Sequence, residues 1–115
     1  MAEASKRLAF LVKLTSTSGS SSDGGSGSRD PFHWYGLAME YRTLGRKDEA
    51  LATFEELRRH SPDYVPMYLM CGQMLETMAR PADAREWLTS GIEAARRKGD
   101  AHAASELESA LAALA

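Results

Sequence analysis

At 115 residues, with 14 basic and 16 acidic side chains and a net charge of −2, the chain suffices for one domain and presents no basic face to neutralise phosphates, which argues against nucleic acid as a partner. It contains no run of about 18 apolar residues to span a bilayer, and its single cysteine, Cys71, cannot close an internal disulfide, so nothing demands an oxidising compartment. Hydrophobic residues make up 43% of the chain but are Leu, Ala and Met far more than Val or Ile, a mix that favours helix over sheet.

Residues 1–14 form the first predicted element, an amphipathic helix. Leu8, Leu11 and Val12 share one face, with Ala4 behind and Phe10 and Leu14 widening it, while Lys6, Arg7 and Lys13 lie elsewhere. A segment of about a dozen residues is marginal alone in water, so this helix is expected to form by docking. Lys6-Arg7 ahead of Leu8 to Val12 has the look of a secretion signal, but Glu3 precedes it, Lys13 interrupts it, and no clear small-residue cleavage site follows. A cytoplasmic protein is the expectation. A membrane-surface role for the same helix has only three basic residues to support it.

Residues 15–28 hold seven Ser and four Gly, the composition of a flexible linker whose ends stand about 20 Å apart by random-coil scaling. The packed domain is expected over 29–115. Asp30 caps a helix with Pro31 at its first position and apolar residues from Phe32 to Leu44, ended by Gly45. A second helix runs from about Lys47 to His60 and stops at Ser61-Pro62; a third runs from about Val65 to Met78. Pro81 opens a fourth that continues to Lys98 and ends at Gly99. Asp100 caps the last, over 100–114, with Leu107, Leu111 and Leu114 on one side.

Sliding the chain against itself by 34 residues aligns Trp34 with Tyr68, Ala38 with Gly72, Tyr41 with Leu75, Leu44-Gly45-Arg46 with Met78-Ala79-Arg80, Ala50 with Ala84 and Phe54 with Leu88. Two hairpins of one design follow, about 31–64 and 65–98. The pattern Trp34, Leu37, Ala38, Tyr41, Ala50, Phe54, Pro62 resembles a tetratricopeptide repeat. The second copy keeps Tyr68, Gly72, Leu75, Ala84 and Leu88 but has Cys71 for the usual leucine and Arg96 where Pro62 has its equivalent, which lets that helix run longer. The resemblance implies an all-α fold: antiparallel helix hairpins of an α-solenoid, with the last helix capping the final repeat. Two repeats fall short of the usual three, so the helix before the linker is the candidate to cover the other end or to fill the binding groove, in the same chain or in a swapped homo-oligomer.

The resemblance further implies a concave groove lined by the first helix of each hairpin, here Phe32, Tyr35, Met39 and Arg42, then Leu69, Met70, Gln73 and Glu76. Some family members clamp a ligand's C-terminal carboxylate with Lys and Asn in this groove; Tyr35, Met39, Leu69 and Gln73 do not supply that chemistry. A largely apolar, Met-bearing groove suits an amphipathic helix or extended peptide, so the expected function is that of a protein-binding adaptor. Met67 and Met74 read instead as core, whereas Met39 and Met70 suit either role. Trp87, beside Leu88, is expected to be partly exposed on the convex side.

Little points to catalysis. His33, His60 and His102 lack the paired spacing of metal ligands, and Cys71 has neither Cys nor His near it in sequence and occupies a core position. Glu49, Glu55, Glu56, Glu76, Glu86, Glu93, Glu106 and Glu108 fall on helices beside basic residues, as solvated faces do. Gly24-Gly25-Ser26-Gly27 lacks the following Lys and Ser/Thr of a phosphate loop. No cofactor, metal or enzymatic activity is expected.

Overall fold

In the computed structural model, which describes residues 2–15 and 29–114, helices form the whole of the regular structure: α1 (Ala2–Thr15), α2 (Pro31–Thr43), α3 (Lys47–His60), α4 (Pro66–Thr77), α5 (Pro81–Arg97) and α6 (Ala101–Ala113). Apart from Thr15, which closes α1, the predicted linker lies outside the described residues. The chain divides into two units, Met1–His60 and Ser61–Ala115, each built on one hairpin with one additional helix.

Local chemistry sets the helix ends. The Asp30 carboxylate accepts from Phe32 N at 3.0 Å, and Asp100 does the same from Ala103 N at 3.0 Å, so two caps satisfy donors that the helix itself leaves open. The C-termini of α2, α4 and α5 close with one motif. Arg46 N donates to Tyr41 O, Arg80 N to Leu75 O and Asp100 N to Ala95 O, each bridging a residue with positive φ: Gly45 (+79°), Ala79 (+60°) and Gly99 (+70°). Alanine is the odd member, because its Cβ crowds the following carbonyl in this region. Ala79→Gly is therefore expected to stabilise the protein by about 0.5–1 kcal/mol, the strain relieved outweighing the extra freedom of the unfolded chain. A thermal melt raised by a few degrees would bear this out; a lowered one would mean that Ala79 is unstrained.

In the first unit α2 packs on α3 across Leu37 and Ala38 on one side and Ala50, Leu51, Phe54 and Leu57 on the other, with Ala38, Ala50, Phe54 and Leu57 fully buried. Small residues at 38 and 50 let the helices close. The Trp34 ring meets His60 edge-on at 5.3 Å between centroids. Burial lowers the His60 pKa below that of an ordinary imidazole, and the charges of Arg29 and Arg59 push it the same way, so the neutral ring is favoured.

Helix α1 packs on α2. Leu11 Cδ2 lies 3.6 Å from where a Cβ at Gly36 would stand, and Arg7 Nε is 3.2 Å from Glu40 Oε1, so rising numbers in α1 meet falling numbers in α2 and the two run antiparallel. The buried stripe is Leu11 and Thr15, flanked by half-buried Leu8 and Leu14; the Thr15 hydroxyl donates to Leu11 O at 2.8 Å. This corrects the expected face, since Val12 is exposed, as is Phe10. Each residue turns the helix by ~100°, so a stripe centred on Leu11 keeps Leu8, Leu14 and Thr15 and rotates Phe10 and Val12 out to either side.

In the second unit α5 packs on both α4 and α6, and α6 also reaches α4. Val65, Met67, Tyr68, Cys71, Met74 and Leu75 are buried with Ala84, Trp87, Leu88, Ile92, Ala94 and Ala95, and Ala104 and Leu107 of α6 complete the core. Trp87 is 5% exposed and its ring sits 5.8 Å from that of Tyr68, so it belongs to the core and not to an open convex face. Trp87, Gly91 and Ala94 recur at helical spacing on one side of α5, which turns the indole inward. The Tyr68 hydroxyl donates to Pro62 O at 2.6 Å, Arg97 donates to Asp63 Oδ1 from two nitrogens, and Arg96, standing where proline was expected, pairs with Glu108 at 2.6 Å. At 17 residues, α5 outruns the 14 of α3, as the missing proline predicts.

Candidate binding surfaces

The two first helices, α2 and α4, place the predicted groove residues at accessible positions within their own units. On α2, Phe32 is 64% exposed and Tyr35, Met39 and Arg42 are half-buried, whereas Leu37 and Ala38 between them face α3. These four share one side, because offsets of three and four residues bring side chains together on a helix. Two contacts of α1, at Gly36 and Glu40, lie on the flank of that side, and Tyr35 and Met39 remain half-buried.

On α4, Leu69 and Met70 are half-buried and Gln73 and Glu76 exposed, while Met67, Tyr68, Cys71, Gly72, Met74 and Leu75 are consumed by the core. Leu69, Gln73 and Glu76 form a single stripe; Met70 stands one position round from it. A cleft of about 450 Å³ brings two of the four, Leu69 and Gln73, together with His102, Ser105, Glu106, Ser109 and Ala110 of α6. Met70 and Glu76 do not line it.

Sequence reasoning treated α6 as a cap and missed this second wall. The signal was present: His102, Ser105, Glu106 and Ser109 recur at helical spacing opposite Ala104 and Leu107, so α6 has a polar side as well as a core side. The cleft is accordingly more polar than the apolar groove expected. His102 Nε2 lies 3.5 Å from Glu106 Oε2 on its open edge.

The remaining candidate chemistry is dispersed. His33 pairs with Asp30 at 3.9 Å, His60 meets Trp34 edge-on in the first unit, and Cys71 is fully buried. Among the described residues no group of three or more His, Cys, Asp or Glu side chains is arranged to hold a metal ion, and no helix is long and apolar enough to cross a membrane. Arg46 donates from Nε and Nη2, one edge of its guanidinium, to the two carboxylate oxygens of Glu49 at 2.6 and 2.7 Å, and lies 5.1 Å over the Tyr41 ring. That hydrogen bonding raises the Arg46 pKa and lowers that of Glu49, a structural ion pair at the start of α3.

A family model for the tetratricopeptide repeat matches residues 31–74. A tetratricopeptide repeat domain protein from Salinibacter ruber, solved by solution NMR, aligns at 41% identity over 71% of this chain and 83% of that one, with a TM-score of 0.69. The chain belongs to the tetratricopeptide repeat family. A crystal structure of a tetratricopeptide repeat domain protein from the same organism agrees, at 41% identity and a TM-score of 0.67 over 71% of this chain and 92% of that one. No curated protein matches. Tetratricopeptide repeats are in general non-catalytic protein-interaction scaffolds, and the helix pairs α2–α3 and α4–α5 are the two repeats of this one.

Proposed function

We propose that this tetratricopeptide repeat chain is an adaptor that binds another polypeptide, in helical or extended form, through the accessible faces of its two first helices. One observation carries the reading. In both hairpins the same register of the first helix stays clear of the unit's core, Tyr35, Met39 and Arg42 on α2 and Leu69, Gln73 and Glu76 on α4, while Leu37 and Ala38 on the one and Cys71, Gly72, Met74 and Leu75 on the other are buried. Half-buried Met39 and Met70 give a partner adaptable apolar contact, and no charge needs to be stripped of water to reach them.

Met39→Glu and Met70→Glu place a carboxylate in that contact. Each is expected to weaken partner capture from a lysate of the native host by about tenfold or more, because a charge left unpaired on burial is costly. The far-UV circular dichroism spectrum should stay helical, as both positions lie outside the core. Capture unchanged in both variants, with folding intact, rules out the first-helix faces as the binding surface.

A further inference from the structure

The cleft between α4 and α6 has a charge pattern and a shape that narrow the class of partner further. Helices α4 and α6 together carry Glu76, Glu106 and Glu108 and not one Lys or Arg. The basic residues of this unit, Arg80, Arg85, Arg96, Arg97 and Lys98, all sit on α5 or at its ends, where Arg80 is engaged with Asp83, Arg96 with Glu108 and Arg97 with Asp63. Basic charge in this unit is therefore confined to α5 and its ends, which also carry Asp83, Glu86 and Glu93, while α4 and α6 carry carboxylates alone. What faces the cleft is the Glu106 carboxylate, met among the described residues by the largely exposed imidazole of His102 at 3.5 Å, a long contact for a charge-assisted hydrogen bond.

The shape speaks to conformation. A volume of about 450 Å³ falls in the usual range for ligand sites. It is about what one turn of helix, ~10 Å across and ~5.4 Å tall, would fill by itself. The lining points the same way. Gln73, Ser105 and Ser109 offer donors and acceptors over a small apolar floor of Leu69 and Ala110. A helix satisfies its own backbone and has little use for such groups, whereas an extended strand arrives with free N–H and C=O groups that need partners.

We infer that the α4–α6 cleft binds an extended segment of a partner polypeptide that delivers an arginine or lysine side chain onto Glu106. The inference rests on the reading that this chain binds a polypeptide, and it specifies the conformation and charge of what is bound. Gln73, Ser105 and Ser109 hold the strand's backbone, a small side chain covers Leu69 and Ala110, and the cation replaces the loose His102 contact at the Glu106 carboxylate, in bidentate fashion where it is arginine.

The test uses the full chain, labelled with nitrogen-15, and four capped peptides of sequence Gly-Ser-Ala-Xaa-Ala-Ser-Gly with Xaa as Arg, Lys, Gln or Glu, followed by amide chemical shifts. The Arg and Lys peptides should move the amides of Gln73, Ser105, Glu106 and Ser109 and bind at least about fivefold more tightly than the Glu peptide, a difference that shrinks at high salt. Glu106→Gln should remove most of that preference, whereas Glu93→Gln, at an exposed position of α5, should leave it intact. If the cleft amides respond equally to all four peptides, or if shifts are confined to Tyr35, Met39 and Met70, the inference fails while polypeptide binding stands. If no peptide shifts any amide and host partners are not captured either, both readings fail together.

Discussion

Phe54→Ala is expected to lower stability by about 4 kcal/mol, the largest single loss of any side-chain truncation in the first repeat. Phe54 has no exposed surface, and the residues that close the α2–α3 interface around that level, Ala38 and Ala50, are fully buried and too small to swing into a gap. A cavity left by the ring therefore stays open, and its cost adds to the lost transfer free energy. Against a total stability of about 5–15 kcal/mol for a domain, that is a large fraction. Urea denaturation followed by circular dichroism should show the midpoint fall accordingly, with the melting temperature reduced by more than roughly 15 °C. Phe54→Leu borrows the residue that the second repeat uses in the same register, at Leu88, and should cost only about 1.5 kcal/mol. An alanine variant that loses less than the leucine variant would show that the hairpin collapses around the gap and that Phe54 does not hold it.

What could be read from the sequence was what depends on neighbours along the chain. Asp30 and Asp100 cap as their positions predict, Gly45 and Gly99 end helices in the left-handed region, and a missing proline lengthens α5, because each effect acts within one turn of helix. The repeat register was legible because both copies solve one packing problem, small residues at the helix crossing and large ones beside it.

What escaped was what depends on neighbours across space. A stripe drawn through Leu8, Leu11 and Val12 is centred only ~40° of rotation from the one that α2 covers, and hydrophobicity alone does not choose between Val12 and Leu14. Trp87 looked available because nothing local to it announces Tyr68, and α6 looked like a plain cap because its polar side reads as a solvated face until Leu69 and Gln73 stand opposite. Ala79 was aligned with Gly45 from the sequence, but the strain it carries shows only in its backbone angle.

Gly91 is the sharpest instance, since a glycine in a helix interior reads from sequence as a weakness of about 1 kcal/mol. The structure gives it a reason. A Cβ at Gly91 would stand 2.4 Å from Tyr68 Cβ and 3.0 Å from both Tyr68 Cγ and Leu107 Cδ2, so α4, α5 and α6 meet where only a hydrogen atom fits. Gly91→Ala is expected to destabilise by about 2 kcal/mol, an overpacking cost of about 3 kcal/mol offset by about 1 kcal/mol of helix propensity. Gly72→Ala is the matched comparison. Its Cβ would meet Leu88 Cδ2 at 2.7 Å and Cγ at 2.8 Å, so a buried side chain and not a backbone-fixed Cβ must give way, and the loss should be about 1 kcal/mol, smaller than at Gly91. Shortening Tyr68 to alanine should not rescue Gly91→Ala, because the nearest obstacle is a Cβ that alanine keeps and that the backbone of α4 holds in place. Denaturation midpoints for the two glycine variants, with and without Tyr68→Ala, separate these terms. If Gly91→Ala instead gains the propensity of about 1 kcal/mol, α5 shifts freely against α4 and the close approach at Gly91 does not constrain the second repeat.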